Sequence, residues 1–208
     1  TTMKGAIDDI SSIKKLLDRL NISSEKVLIH ADAALMGLIY PFLADAEDLF
    51  AAGVTSLALS GHKFLGAIHP CGIVLTRKTL YHASFNEKWV DYVGSQDTTI
   101  SGSRNGFLAL NLWYLLHVKG IDGYRQEALD CIGNAKYLKS KLVDMGYPKV
   151  SAFPNQTIVT FSKPSQEIVS KYQLATEGDL AHIVVMQHIT RSRIDNFCKE
   201  LEESFAVK

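Results

Sequence analysis

Lys63 stands in the run Ser60-Gly61-His62-Lys63-Phe64-Leu65-Gly66, between small and apolar residues and directly after the strand-like stretch Val54 to Leu59. A lysine in that setting suits condensation with a carbonyl. An amine that forms a Schiff base must be partly desolvated, so that its pKa falls and the neutral form is available. Ser60 and His62 bring hydrogen-bonding groups that suit a phosphate. Most His-Lys pairs carry only a solvated surface charge; the small and apolar neighbours set this one apart.

Asp32 is the second group. His30-Ala31-Asp32-Ala33-Ala34 follows the apolar run Val27-Leu28-Ile29. A carboxylate there can cap a helix, or it can pair with a protonated ring nitrogen and keep that ring a strong sink for electrons. Ala34 is small enough to let a flat ring lie against the backbone. His30 either orients Asp32 or is a satisfied core histidine.

The elements that must position these groups alternate. Asp9 or Ser11 can cap a helix carrying Ile13, Leu16, Leu17 and Leu20 at helical spacing. The strand-like run 27–29 follows, then a short helix through Leu49 and Phe50 closed by Gly53. The strand-like run 54–59, a turn at Pro70-Cys71-Gly72 and a returning strand Ile73-Val74-Leu75 come next. This alternation predicts an α/β sheet covered on both faces, with ligands beyond the carboxyl ends of its strands. Asp32 and Lys63 each follow a strand-like run, so both are expected at one sheet edge. Phe107 to Val118 reads as an apolar helix after Ser101-Gly102-Ser103-Arg104-Asn105-Gly106. From Gly123 to Met145 a helix is expected, then strands at Thr157–Phe161 and Ala181–Met186, and a last helix around Ser192–Phe205. We divide the chain into residues 1–120 and a small α+β domain, 121–208, whose motifs carry no chemistry of their own.

Composition excludes several classes. The 208 residues carry 22 basic and 22 acidic side chains, a balance that offers no electrostatic capture of nucleic acid or of an anionic membrane. No apolar run approaches the ~18–20 residues of a membrane span, and the first ten residues lack a signal-peptide core. The 3 cysteines have no metal-ligand spacing, so no metal site is expected and a reducing, cytoplasmic setting is. The chain opens on Thr1-Thr2 without an initiator methionine, as a chain cut from something longer would.

The stretches TTMKGAIDDI, HADAALMGLIYPF, SGHKFLG, PCGIVLTR, DTTISGSRNG and QLATEGDLAHIVVM spread over almost the whole chain. In that order they resemble the group II pyridoxal phosphate-dependent decarboxylases, above all the bacterial histidine decarboxylases and the plant serine decarboxylases. The resemblance implies the aspartate-aminotransferase (type I) fold. The first region would be the second half of the large cofactor domain and the second the small C-terminal domain. It also implies pyridoxal 5′-phosphate as cofactor, an amino-acid substrate and a homodimer with its active site at the subunit interface.

Carried over by motif, Lys63 matches the Schiff-base lysine and Asp32 the partner of the pyridine nitrogen. Ala34 matches the alanine against the ring, and Ser60 and His62 match phosphate contacts. Ser103 matches a serine reaching the neighbouring subunit's cofactor phosphate. Arg104, beside it, is read only as holding that loop by hydrogen bonds to backbone carbonyls, a structural role. Tyr92, in VDYVGS, falls where relatives carry a loop tyrosine that returns a proton after carbon dioxide leaves; a packing role is its alternative. Thr1 and Thr2 resemble a threonine pair near the cofactor.

The chain departs from the pattern in one large respect. The Gly/Ser-rich phosphate loop and the stacking histidine of the N-terminal half are not found, and His69 and His82 follow Lys63. The missing half is expected on the same enzyme or on a second chain. The activity implied is decarboxylation of histidine to histamine. Serine decarboxylation, a silent association module, and a carbon–sulfur or sphingolipid-phosphate lyase on the same scaffold are the alternatives.

Overall fold

The computed structural model describes residues 1–80, 88–97 and 102–206. They form two units: Asp9–Tyr124, and Arg125–Lys208 together with Thr1–Asp8. His82, and the residues 98–101 within DTTISGSRNG, lie outside the described residues.

In the first unit, helix α1 (Ile10–Arg19) starts at Asp9, whose carboxylate accepts from Ser12 N at 2.8 Å and Ser12 Oγ at 2.7 Å. The same bonds from Ser12 hold the Asp9 carboxyl below its ordinary range. Only Ile10 of this helix is buried; Ile13, Leu16 and Leu20, at the expected spacing, are exposed. Ile10 packs with Val54 and Leu57, against Ile29, Ala31, Leu49 and Phe50.

Strand β1 is His30–Asp32. The run Val27-Leu28-Ile29 does not itself form the strand, because pairing with the next strand begins only at His30. Two 3-10 turns, Met36–Leu38 and Tyr40–Phe42, lead to the short helix α2 (Leu49–Ala52). Asp48 caps α2, and Gly53 ends it at φ 119°, a left-handed conformation that glycine reaches without strain. Strand β2 (Ser56–Ser60) runs parallel to β1, with Asp32 opposite Ala58. Strand β3 (Gly72–Thr76) returns antiparallel to β2, giving the order β1-β2-β3. The sheet is not covered throughout: Val74 on β3 is 67% exposed. Strands β4 (Lys88–Val90) and β5 (Ser95–Asp97) form a separate hairpin.

Helix α3 (Gly106–Asp144) joins the two helices expected from the sequence. Gly120, at φ 62° and ψ 178°, is the non-helical joint between them. Asn105 Oδ1 caps its start by accepting from Phe107 N at 3.0 Å.

The second unit holds strands β6 (Ile158–Ser162), β7 (Ala175–Glu177) and β8 (Leu180–Val184) in the antiparallel order β6-β8-β7. Helix α4 (Gln166–Tyr172) and the closing helix α5 (Arg191–Ala206) complete it. Leu138 and Leu142 of α3, Val159 and Phe161 of β6, Val185, and Phe197 and Leu201 of α5 are among the buried residues of one core. Within it the Phe197 ring meets Phe161 at 5.8 Å and Tyr172 edge-on at 4.9 Å.

Thr1–Asp8 is built into this second unit. The amide of Gly5 donates to Thr1 O at 2.9 Å and that of Ala6 to Thr1 Oγ1 at 3.1 Å, closing a turn. His182 on β8 bonds Met3 O through Nδ1 at 2.9 Å. Gly5 has φ 73°, and a Cβ there would lie 3.1 Å from that of Ile158, so a residue without a side chain lets the turn seat on β6.

Candidate active site

Because β1 and β2 are parallel, their carboxyl ends meet at one edge of the first unit's sheet. Asp32 is the last residue of β1 and Ser60 the last of β2. The backbone ties the two exits together. Ala33 N donates to Ala58 O at 2.9 Å, and Ser60 N to Ala34 O at 3.1 Å. Asp32 and Ser60 therefore leave the sheet side by side, as the sequence predicts.

The turn after Ser60 is held on three sides. Lys63 N donates to Ser60 O at 3.3 Å, Gly61 N to Cys71 O at 3.0 Å, and Ala67 N to Gly61 O at 2.9 Å. Phe64 and Leu65 drop into the interior, where Tyr124 Oη donates to Leu65 O at 3.3 Å and the Tyr124 ring packs on Phe64 at 5.8 Å. Gly61 has no room for a side chain, since a Cβ there would sit 2.6 Å from Cys71 Sγ and 3.0 Å from Leu112 Cδ2. Buried neighbours thus fix the backbone of Lys63 on a rigid turn.

The side chain of Lys63 is exposed. The partial desolvation expected of it is not supplied by these residues, because the same turn that sends Phe64 and Leu65 inward sends His62 and Lys63 outward. Asp32 is likewise exposed; its Oδ1 accepts from Ala34 N at 3.3 Å, a short turn that orients the carboxylate. Among the described residues its Oδ2 accepts no hydrogen bond. The ring of His30 bonds Ser56 Oγ through Nδ1 at 2.7 Å, so this histidine is fastened to β2 and not to Asp32. Ser60 is half-buried at the strand end. His62 folds back so that its Nδ1 lies 3.1 Å from the Cys71 amide nitrogen. This contact, nine residues apart in sequence, was not anticipated; the Pro-Cys-Gly turn that returns the chain beside β2 is its only sequence signal.

Asp32, Ala34, Ser60, His62 and Lys63 come together at this edge. Tyr92 and Ser103 stand elsewhere in the unit. Tyr92 is at the tip of the β4–β5 hairpin and 97% exposed. Ser103 is exposed just before α3, after Gly102 at φ 66°. Among the described residues no hydrogen bond joins either to the Lys63 turn. No cluster of side chains able to hold a metal ion is found among them.

An amine, a carboxylate with an open oxygen and a pair of hydrogen-bonding side chains at the carboxyl ends of parallel strands can hold an anionic aromatic carbonyl compound. Comparison with known proteins agrees with that chemistry. The family model described as the pyridoxal-dependent decarboxylase conserved domain matches residues 1–163. Serine decarboxylase 2 of Oryza sativa subsp. japonica is 44% identical over 98% of this chain and 43% of its own length. Histidine decarboxylase of Solanum lycopersicum is 40% identical over 97% of this chain and 48% of its own length. Among solved structures, L-methionine decarboxylase from Streptomyces sp. 590 superposes with a TM-score of 0.84 at 28% identity, over 99% of this chain and 52% of that one. The α/β fold read from the sequence is therefore the fold of solved decarboxylases. The chain spans about half the length of the relatives it matches.

Proposed function

This chain belongs to the pyridoxal-dependent decarboxylase family, and we propose that it is the lysine-bearing half of an amino-acid carboxy-lyase that uses pyridoxal 5′-phosphate. The observation that carries the reading is the backbone bond from Ser60 N to Ala34 O, which sets the Asp32 exit beside the Lys63 turn. Residues 1–120 form part of the large cofactor domain in this reading, and 121–208 the small one.

The residues present fit the cofactor. Lys63 offers an exposed amine on a fixed backbone, and Asp32 an outward carboxylate whose second oxygen is open among the described residues. Bound here, the cofactor supplies an electron sink for the pair released when the carboxylate leaves the substrate's α-carbon. Lys63 would hold the cofactor through its amine, the nucleophile that a carbonyl group requires. Asp32 holds a proton on the ring nitrogen, which keeps the sink strong. Ala34 leaves a flat surface for the ring. Ser60 and His62 donate to the phosphate. Ser103 serves the phosphate of the neighbouring subunit in a homodimer. Tyr92, on the hairpin tip, returns a proton to the α-carbon. The other half of the enzyme supplies the walls that desolvate Lys63, the phosphate loop and the stacking residue. We place the enzyme in the cytoplasm; no helix of the described residues is long and apolar enough to cross a membrane.

The proposed substrate is L-histidine, decarboxylated to histamine. The 44% identity to a serine decarboxylase favours L-serine as a second reading. The test is to reconstitute the chain with a polypeptide carrying the N-terminal half, add pyridoxal phosphate, reduce with borohydride and locate the adduct. An adduct on Lys63 and carbon dioxide release from histidine support the proposal. Release from serine alone moves the assignment to serine. No adduct with the complete pair leaves an association module.

A further inference from the structure

The ring of His62 is held against Cys71, and the way it is held decides which of its nitrogens carries the proton. Its Nδ1 lies 3.1 Å from the Cys71 amide nitrogen and 3.3 Å from the Cys71 carbonyl oxygen. The carbonyl already accepts from Gly61 N at 3.0 Å, while the amide gives its proton to the ring. The shorter contact and the need of the amide for an acceptor both make Nδ1 the acceptor. A neutral imidazole that accepts at Nδ1 must carry its proton on Nε2.

We infer that the Cys71 backbone amide is a positioning group, which fixes His62 as the neutral Nε2–H tautomer and so offers a single N–H donor beside Lys63. The donor suits an anionic oxygen, and under the function proposed above that oxygen belongs to the cofactor phosphate. The lock is built from the fold. Cys71 immediately precedes β3, and β3 pairs with β2 up to Ser60↔Gly72, so the strand pairing that places Lys63 also places the amide that sets the ring. A Cβ at position 61 would lie 2.6 Å from Cys71 Sγ, so only glycine lets the two segments lie at this spacing.

The test has a readout independent of catalysis. Long-range proton–nitrogen correlation of the nitrogen-15-labelled chain, reconstituted at neutral pH with the polypeptide that carries the N-terminal half and assigned with His62→Asn, reports both ring nitrogens. The expected spectrum shows an unprotonated Nδ1 and a protonated Nε2, and pyridoxal phosphate shifts the Nε2–H signal. His62→Asn, whose side-chain oxygen can take the place of Nδ1, keeps the Cys71 amide slow to exchange but weakens cofactor binding by about ten- to a hundredfold, the value of a hydrogen bond to a charged group. A protonated Nδ1, or a ring averaging both tautomers, overturns the inference even if Lys63 takes up the cofactor. The expected tautomer without any cofactor effect leaves the lock standing and overturns the phosphate assignment.

Discussion

The amide of Ser60 donates to the carbonyl of Ala34 at 3.1 Å, and this one bond couples the two turns that carry the candidate chemistry. On one side of it stands Asp32, two residues before Ala34; on the other stands Lys63, three residues after Ser60. Neither side chain needs to touch the other. Each is aimed by a backbone that the parallel pairing of β1 and β2 holds at a shared edge. A cofactor with an aldehyde at one position and a ring nitrogen at another can be gripped at both points by groups set in this way.

Lys63→Ala should therefore remove chemistry without disturbing structure. Its side chain is exposed and the turn is held by backbone bonds and by Phe64 and Leu65. Urea unfolding should agree with the parent chain to within about 0.5 kcal/mol. Borohydride reduction of the reconstituted enzyme should leave no adduct. A persistent adduct on another lysine would move the anchor elsewhere.

Gly61→Ala should do the reverse. The new methyl group would meet Cys71 Sγ at 2.6 Å and Leu112 Cδ2 at 3.0 Å, and relieving that contact must push the turn away from β3. Overpacking of this kind costs about 1–3 kcal/mol. The urea midpoint should fall and cofactor uptake by the untouched Lys63 should fall with it. A variant with the parent's stability and uptake would show that the turn tolerates the shift.

The sequence made legible whatever a local pattern encodes. Asp9 and Gly53 read as helix ends because capping is a matter of one residue and its neighbours, and both serve as such. Asp32 and Lys63 were legible as residues following strand-like runs. What escaped depended on distant partners. The run Val27-Leu28-Ile29 looks like a strand, but pairing decides, and it begins at His30. Helix α4 and strand β7 were unseen because one is only two turns long and the other is exposed at every residue. The partners of His30 and His62, Ser56 and Cys71, are set by strand register, which no spacing announces. The roles of Tyr92 and Ser103 rest on resemblance alone, since neither meets the Lys63 turn among the described residues.

His182→Leu should loosen the start of the chain. His182 is 8% exposed, and its Nδ1 reaches the Met3 carbonyl, which can only accept, so this nitrogen carries the proton. Leucine leaves the carbonyl without its donor at a cost of about 1 kcal/mol. Hydrogen exchange at the Gly5 and Ala6 amides, whose acceptors belong to Thr1, should accelerate. His182→Asn, which can present an amide N–H at the same place, should restore part of the protection. Equal exchange in all three chains would show that the seat of Gly5 on β6 suffices.

Asp195 provides a test by acid. Tyr137 Oη donates to Asp195 Oδ1 at 2.7 Å, and Lys141 Nζ lies 3.1 Å from the same oxygen. The tyrosine bond first, then the lysine, holds the Asp195 carboxyl below its ordinary range. A depressed pKa means that the ionised group stabilises the folded unit at any pH above the unfolded value, about 4. That contribution disappears as pH falls from there through the lower, folded value. Asp179 and Glu200, held down in turn by Lys149 and Lys171, respond with the same sign, so the parent's acid profile alone does not single out Asp195. Comparison with Tyr137→Phe does. The variant loses the largest of the bonds, so its urea midpoint should fall less steeply below about pH 4 than the parent's, and the two curves should converge in acid. Parallel curves across the whole range would mean that the Tyr137 hydroxyl contributes packing and no preference for the ionised carboxylate.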